Sequence, residues 1–120
     1  MIAAFALLIS AALTVPTGEA WAFRIDHGQP AHAHRVAPGA KPAPGEVMIS
    51  VTPLMGTTMI ATNNSTTAYT YRAQLVGAAG LAKTCALPPG NSPTIEMWTQ
   101  RAIGVRVGDF KPAPNGGACP

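Results

Sequence analysis

Short stretches of alternating apolar and polar residues place the strongest constraint on how this chain can fold. Val47, Ile49 and Val51 occupy every second position, and the same period recurs in YTYRAQL (residues 69–75) and IGVRV (residues 103–107). Successive side chains of a β-strand point to opposite faces, so this period is that of a strand with one buried face. The sequence therefore predicts strands in these stretches.

Turn residues separate the predicted strands. Gly56 interrupts PLMGT, and NNST, AAG and PPGNSP follow at residues 63–66, 78–80 and 88–93. About five to seven short strands with turn signals roughly every 8–12 residues, and no helical period, are typical of an antiparallel two-layer protein. We expect an all-β fold, a small antiparallel β-sandwich of immunoglobulin-like form or an open barrel.

Aromatic residues make up only 6% of the chain, so the expected core consists mainly of Val, Ile, Leu and Met. The aromatic side chains of the predicted sandwich are expected at the margins of that core: Tyr69, Tyr71, Trp98 and Phe110.

The stretch ATNNSTTAYTYRA, from Ala61 to Ala73, resembles the strand–turn–strand segments of periplasmic pilus chaperones and other immunoglobulin-like bacterial domains. The resemblance implies the sandwich fold and an exported location. It assigns no functional residue.

The N-terminus has the features of a secretory signal. The run from Ile2 to Val15 is uncharged, and as a helix it would reach about 21 Å, short of the ~30 Å hydrocarbon core of a bilayer. Ala20-Trp21-Ala22 supplies a small-x-small cleavage site before Phe23. The sequence predicts a signal peptide over residues 1–22 and a periplasmic or extracellular protein, with an uncleaved membrane anchor as the alternative.

Residues 23–45 are rich in Pro, Ala and His and contain few large apolar side chains. Such a composition buries too little surface to offset the entropy of ordering, so it favours a flexible tail or linker. The predicted organisation is a signal peptide (1–22), a linker (23–45) and a sandwich domain (46–120).

Two cysteines, Cys85 and Cys119, lie in the predicted domain. In an oxidising compartment an even pair predicts one disulfide. The closed loop of about 35 residues would stabilise a small domain by about 3.5–4 kcal/mol.

A cluster of metal-ligand types lies in DHGQPAHAH, which contains His27, His32 and His34. On an extended chain the two imidazoles of a His-x-His sequence project to the same side and suit zinc or copper. The alternative is a solvated linker that contains histidines.

Glu96 and Trp98 alternate with Ile95 and Met97, so the acid and the indole are expected to face the same way. An indole beside a charge is typical of a binding rim, because it combines apolar area with one donor. In the alternative, Trp98 covers the open end of the sandwich while Glu96 pairs with an arginine.

Charge and side-chain chemistry exclude several function classes. The net charge is only +3, and the eight basic residues are scattered along the sequence, whereas nucleic-acid binding needs a concentrated basic patch. The three histidines lie in the predicted linker and the acids are far apart, which argues against an acid–base enzyme. We expect an exported binding protein for a protein or cell-envelope component, touching membrane only through its export signal. The alternative is an envelope protein that binds metal through its histidines.

Overall fold

Nine strands account for the regular structure of the described part of the chain. The computed structural model describes residues 12–79 and 81–113, and no helix long and apolar enough to cross a membrane occurs among them. In chain order the strands are β1 (Leu13–Pro16), β2 (Ala20–Asp26), β3 (Gln29–Val36), β4 (Val47–Thr52), β5 (Thr57–Asn63), β6 (Tyr69–Val76), β7 (Leu81–Ala82), β8 (Pro93–Trp98) and β9 (Gly104–Pro112).

The strands form two antiparallel sheets. One sheet has four strands in the order β1-β9-β6-β7, and the other has five in the order β3-β2-β4-β5-β8. Buried side chains from both sheets make one apolar core, as in a two-layer sandwich. The all-β, sandwich-like prediction is confirmed.

The alternating stretches supply the core as predicted. Val47, Ile49 and Val51 are buried on β4, and Val105 and Val107 are buried on β9. The apolar row of β6 is buried from its third residue onward, at Tyr71, Ala73 and Leu75. Ile103 was expected on the same face as the β9 valines, but it precedes the strand and is exposed.

A bulge in β9 turns Phe110 into the core. The register between β6 and β9 shifts by one residue just before Phe110, and Asp109 there has a φ of 55°. An extra residue on one strand reverses which of its side chains face inward. Val107 and Phe110, three positions apart, are therefore both buried.

Phe110 lies at the centre of an aromatic cluster. Its ring is 5.6 Å from that of Phe23 on the other sheet, 5.2 Å from the stacked ring of Tyr71 and 6.2 Å from the perpendicular ring of Tyr69. Phe110 and Tyr71 are buried, so the prediction that these two rings lie at the margin of the core is wrong. A strict period of two would have turned Phe110 outward.

The first three strands belong to the same sandwich. β1 pairs with β9, and β2 lies between β3 and β4. Val15 and Phe23 are completely buried. The predicted flexible linker is therefore wrong for residues 23–36, and the folded unit extends N-terminal of the predicted boundary at residue 46. The signal peptide remains a prediction, and cleavage before Phe23 would divide β2.

The sequence of the β2–β3 hairpin contains an alternating strand and a turn, although its overall composition is typical of a linker. Trp21, Phe23 and Ile25 alternate along β2, and His27 and Gly28 form a two-residue turn with φ values of 52° and 80°. Two successive positive φ values are typical of a type I′ hairpin turn. β3 itself is an edge strand in which no residue is buried, so it lacks the apolar period that identifies a half-buried strand.

Residues 37–46 connect β3 to β4 without regular structure, as the proline-rich composition indicated. The connection is nevertheless held in place. The Asn64 side-chain amide donates to the carbonyl of Pro42 at 2.8 Å, and the Glu46 carboxylate accepts from the backbone N–H of Ala43 at 3.0 Å. Pro42 is buried.

Cys85 lies in the segment after β7, while Cys119 lies outside the described residues. The predicted Cys85–Cys119 bridge therefore remains a prediction.

A chain that starts at Phe23 should fail to fold. It lacks β1 and the first three residues of β2, which leaves β9 without its outer partner and shortens a strand inside the five-stranded sheet. We expect no cooperative thermal transition by circular dichroism. A chain that starts at Ala12 retains every described residue and is the matched control. Wild-type stability in the shorter chain would contradict the assignment of β1 and β2 to the core.

Replacing Phe110 by alanine should lower the free energy of unfolding by about 3–5 kcal/mol, the usual cost of removing a buried phenylalanine ring. Chemical denaturation measures the loss. Ile103→Ala removes an exposed side chain and is the control, with an expected change within about 0.5 kcal/mol. Equal effects in the two variants would argue against a central role for Phe110.

Candidate interaction surface at the edge of the five-stranded sheet

The edge strand β8 carries an exposed apolar row. Ile95 is 62% exposed and Met97 is 53% exposed, and Ile60 on the neighbouring strand is 37% exposed. Ile60 lies directly opposite Ile95 in the β5–β8 register, so the side chains of this pair lie beside each other on the outer face. The outer face of the sheet is therefore apolar where it ends at β8.

The row continues into the β4–β5 turn, where Leu54 and Met55 are also exposed. Thr58 lies opposite Met97, and its hydroxyl donates to the carbonyl of Leu54 at 2.9 Å. A Cβ on Gly56 would overlap the backbone carbonyl of Trp98, so the turn packs against the end of β8. We call the exposed set the apolar strip: Leu54, Met55, Ile60, Ile95 and Met97.

Glu96 and Trp98 lie on the inner side of β8. The Glu96 carboxylate accepts from the backbone N–H of Cys85 at 2.7 Å, and the Trp98 indole donates to the carbonyl of Lys83 at 3.3 Å. Both side chains are half-buried. They do share a face, as predicted, and on that face they bind the segment that follows β7. The binding-rim role of this pair remains a prediction.

The sequence indicated that β8 has one apolar and one polar row, but the polar row was predicted to be the exposed one. Ile95 and Met97 alternate with the acid and the indole, and the polar pair was expected to form the accessible rim. The neighbouring PPGNSP provided a further signal, because proline beside or within a strand favours an edge position.

Tyr71 faces the interior near this inner row. Its hydroxyl is buried and has no hydrogen-bond partner within residues 12–79 and 81–113. Burial, and secondly the negative charge of Glu96, raise the pKa of Tyr71 above its ordinary value of 10.0, and they outweigh a lowering effect of the nearby Thr84 side chain. The neutral phenol is therefore the form that the folded protein favours.

The three predicted metal ligands lie along the β2–β3 hairpin and have different neighbours. His27 contacts the Asp26 carboxylate at 2.8 Å, and His34 lies 3.8 Å from the Glu46 carboxylate. His32 has a φ of 54° at a bulge between β2 and β3. The bulge interrupts the regular alternation that would project His32 and His34 to the same side.

The described residues contain no group of three or more His, Cys, Asp or Glu side chains placed to hold a metal ion. Zinc or copper binding by His27, His32 and His34 remains a prediction.

Positive charge collects on the outer face of the other sheet. Arg72 on β6 and Arg106 on β9 are exposed between buried neighbours, and Lys111 is exposed next to buried Phe110. Asp109 lies 3.9 Å from Arg72 and offsets part of this charge. The outward side chains of β8 are uncharged, so this edge differs in electrostatic character from the outer face of the other sheet.

The acids considered for catalysis lie apart in the fold. Glu96 is bound to the Cys85 N–H on the inner side of β8. Asp109 lies on β9 of the other sheet, where it accepts from the Gln29 amide at 2.7 Å. Glu46 accepts from the Ala43 N–H before β4. The prediction that the protein is not an enzyme remains a prediction.

No family model, no curated protein and no solved structure matches this chain.

Replacing Tyr71 by phenylalanine should remove part of the loss of stability at high pH. The pKa of Tyr71 is raised in the folded protein, so above pH 10 the unfolded chain releases the phenolic proton while the folded chain keeps it. The contribution of Tyr71 to the free energy of unfolding is therefore fully present below pH 10 and is lost as the pH rises above 10. Denaturation at several pH values should give a flatter alkaline limb for Tyr71→Phe than for wild type.

At neutral pH the same variant should unfold with a free energy equal to that of wild type or about 1 kcal/mol higher, because a buried hydroxyl without a partner is removed. Tyr69→Phe keeps Tyr71 and is the matched control, which should retain the alkaline loss. A flatter alkaline limb in the control alone would contradict the assignment.

Proposed function

We propose that the protein is a small binding protein that recognises its partner through the apolar strip and the β8 edge. The observation that carries the proposal is the exposure of Ile95 and Met97 on a strand that is hydrogen-bonded to β5 alone among the described strands. An edge strand offers unpaired backbone N–H and C=O groups, and its outward side chains add apolar contact. The partner expected from this chemistry is a protein with an extended segment.

The outward side chains of β8 favour association. Natural edge strands are commonly protected by charged side chains, especially lysine. The outward positions of β8 are Pro93, Ile95 and Met97, and none of them carries a charge. Pro93 removes one backbone donor at the start of the strand and leaves the central residues able to pair.

The inner row supports a binding role because it fixes the strand. Glu96 and Trp98 tie β8 to residues 83–85, and β5 holds it along its length. A surface on a rigid strand loses less conformational entropy on binding than a surface on a flexible loop. β8 is therefore suited to present Ile95 and Met97 in a fixed geometry.

The remaining parts of the proposal concern form and location. We include an immunoglobulin-like form of the sandwich, supported by its two antiparallel layers, and export to the periplasm or the extracellular space with the leader retained, supported by the uncharged run at residues 2–12 that precedes β1. A cell-envelope protein is the partner that fits this location.

Site-specific photo-cross-linking in cells tests the binding role. A photoreactive residue in place of Ile95 should give a discrete cross-linked species. The same residue in place of Ile103, which is at least as exposed but lies outside the strip, is the matched control. Cross-linking from position 95 alone supports the proposal. Equal products from both positions, or none from position 95, would contradict it.

A further inference from the structure

The β8 edge has the features needed to pair with a second copy of itself, and this inference rests on the proposed binding role. The strand is short, with six residues from Pro93 to Trp98. Its outward and inward side chains differ sharply in character. Only antiparallel registers that keep each row on its own face preserve both the apolar strip and the inner row.

Two central registers meet that condition. In the first, Ile95 lies opposite Ile95 of the second copy, Pro93 opposite Met97, and Thr94 opposite Glu96. In the second, Ile95 lies opposite Met97 and Glu96 lies opposite Glu96 of the second copy. Like charges directly opposite each other destabilise a strand pair. The first register avoids this contact and is the one expected.

The distribution of charge removes the main obstacle to self-association. Each copy has a net charge of +3, but Arg72, Arg106 and Lys111 lie on strands of the other sheet. The outward side chains at the joint are Pro93, Ile95 and Met97. No outward side chain of β8 therefore brings a cationic group into the joint.

We infer that two copies of this chain associate through β8 in an antiparallel pair centred on Ile95, which joins their five-stranded sheets into one sheet of ten strands. The interface is isologous, because the same edge is used by both copies. Each copy gains backbone hydrogen bonds along the edge, and Ile60, Ile95 and Met97 of the two copies come together on one outer face.

The interface is short, so the dimer belongs to the weak class of protein contacts. Association of the full chain should be measured by sedimentation velocity from low micromolar to about millimolar concentration, a range that covers weak dissociation constants. The expected result for wild type is a reversible, concentration-dependent shift from monomer to dimer.

Charge substitutions at the two-fold axis test the register. Ile95→Lys and Ile95→Glu should each be monomeric over the whole range, because like charges would face each other across the axis. An equimolar mixture of the two variants should form the dimer again, since residue 95 then meets an opposite charge. Ile103→Lys places the same charge at an exposed apolar position elsewhere and should associate as wild type does.

Three outcomes would overturn the inference that the chain forms this dimer. It fails if wild type is monomeric at every concentration, if Ile95→Lys still forms dimers, or if Ile103→Lys is as defective as Ile95→Lys. Failure of the mixture to dimerise overturns the register centred on Ile95. Thermal unfolding of each variant checks that the fold is intact.

A monomeric wild type with a position-95 cross-link to another protein would overturn the homodimer and leave the proposed binding role standing. A position-95 cross-link that joins only two copies of this chain would leave the homodimer standing and count against recognition of a different envelope protein. The two failures are therefore distinguishable.

Discussion

The contact between Phe110 and Phe23 is the interaction on which the rest of the structure depends. Phe110 belongs to β9 and Phe23 to β2, so their packing at 5.6 Å joins the two sheets directly. Tyr71 stacks on the other side of Phe110, which extends the cluster across the four-stranded sheet. The bulge at Asp109 is needed because it turns Phe110 inward. The N-terminal hairpin is part of the sandwich through this cluster.

The exposure of the apolar strip depends on the segment that connects the two sheets between β7 and β8. Residues 83–85 cross toward β8 and bind the inward side chains Glu96 and Trp98. Once these two residues face inward, the pleat of the strand requires Ile95 and Met97 to face outward. The exposed apolar strip is thus a consequence of a polar contact inside the fold, and it is placed on an edge that no other described strand covers.

Sequence reasoning succeeded where one face of a strand is apolar and the other polar. It located β4, β6 and β9, and it placed the turns that flank β5. It did not predict β1 and the start of β2, because a short apolar run near an N-terminus has the same composition as an export leader. It also failed for β3 because an exposed edge strand need not alternate. The turn at His27-Gly28 was the local signal that indicated the hairpin.

By itself the sequence determined the all-β class and which neighbouring side chains share a face, because both follow from a period of two. Only the tertiary structure decided which of the two faces is buried, since a period of two has two equivalent phases. The inner segment at residues 83–85 made that choice for β8, and the bulge at Asp109 made it for Phe110. Tertiary pairing likewise gathered Arg72, Arg106 and Lys111, which are scattered in sequence, onto one sheet, because neighbours in a sheet are distant along the chain.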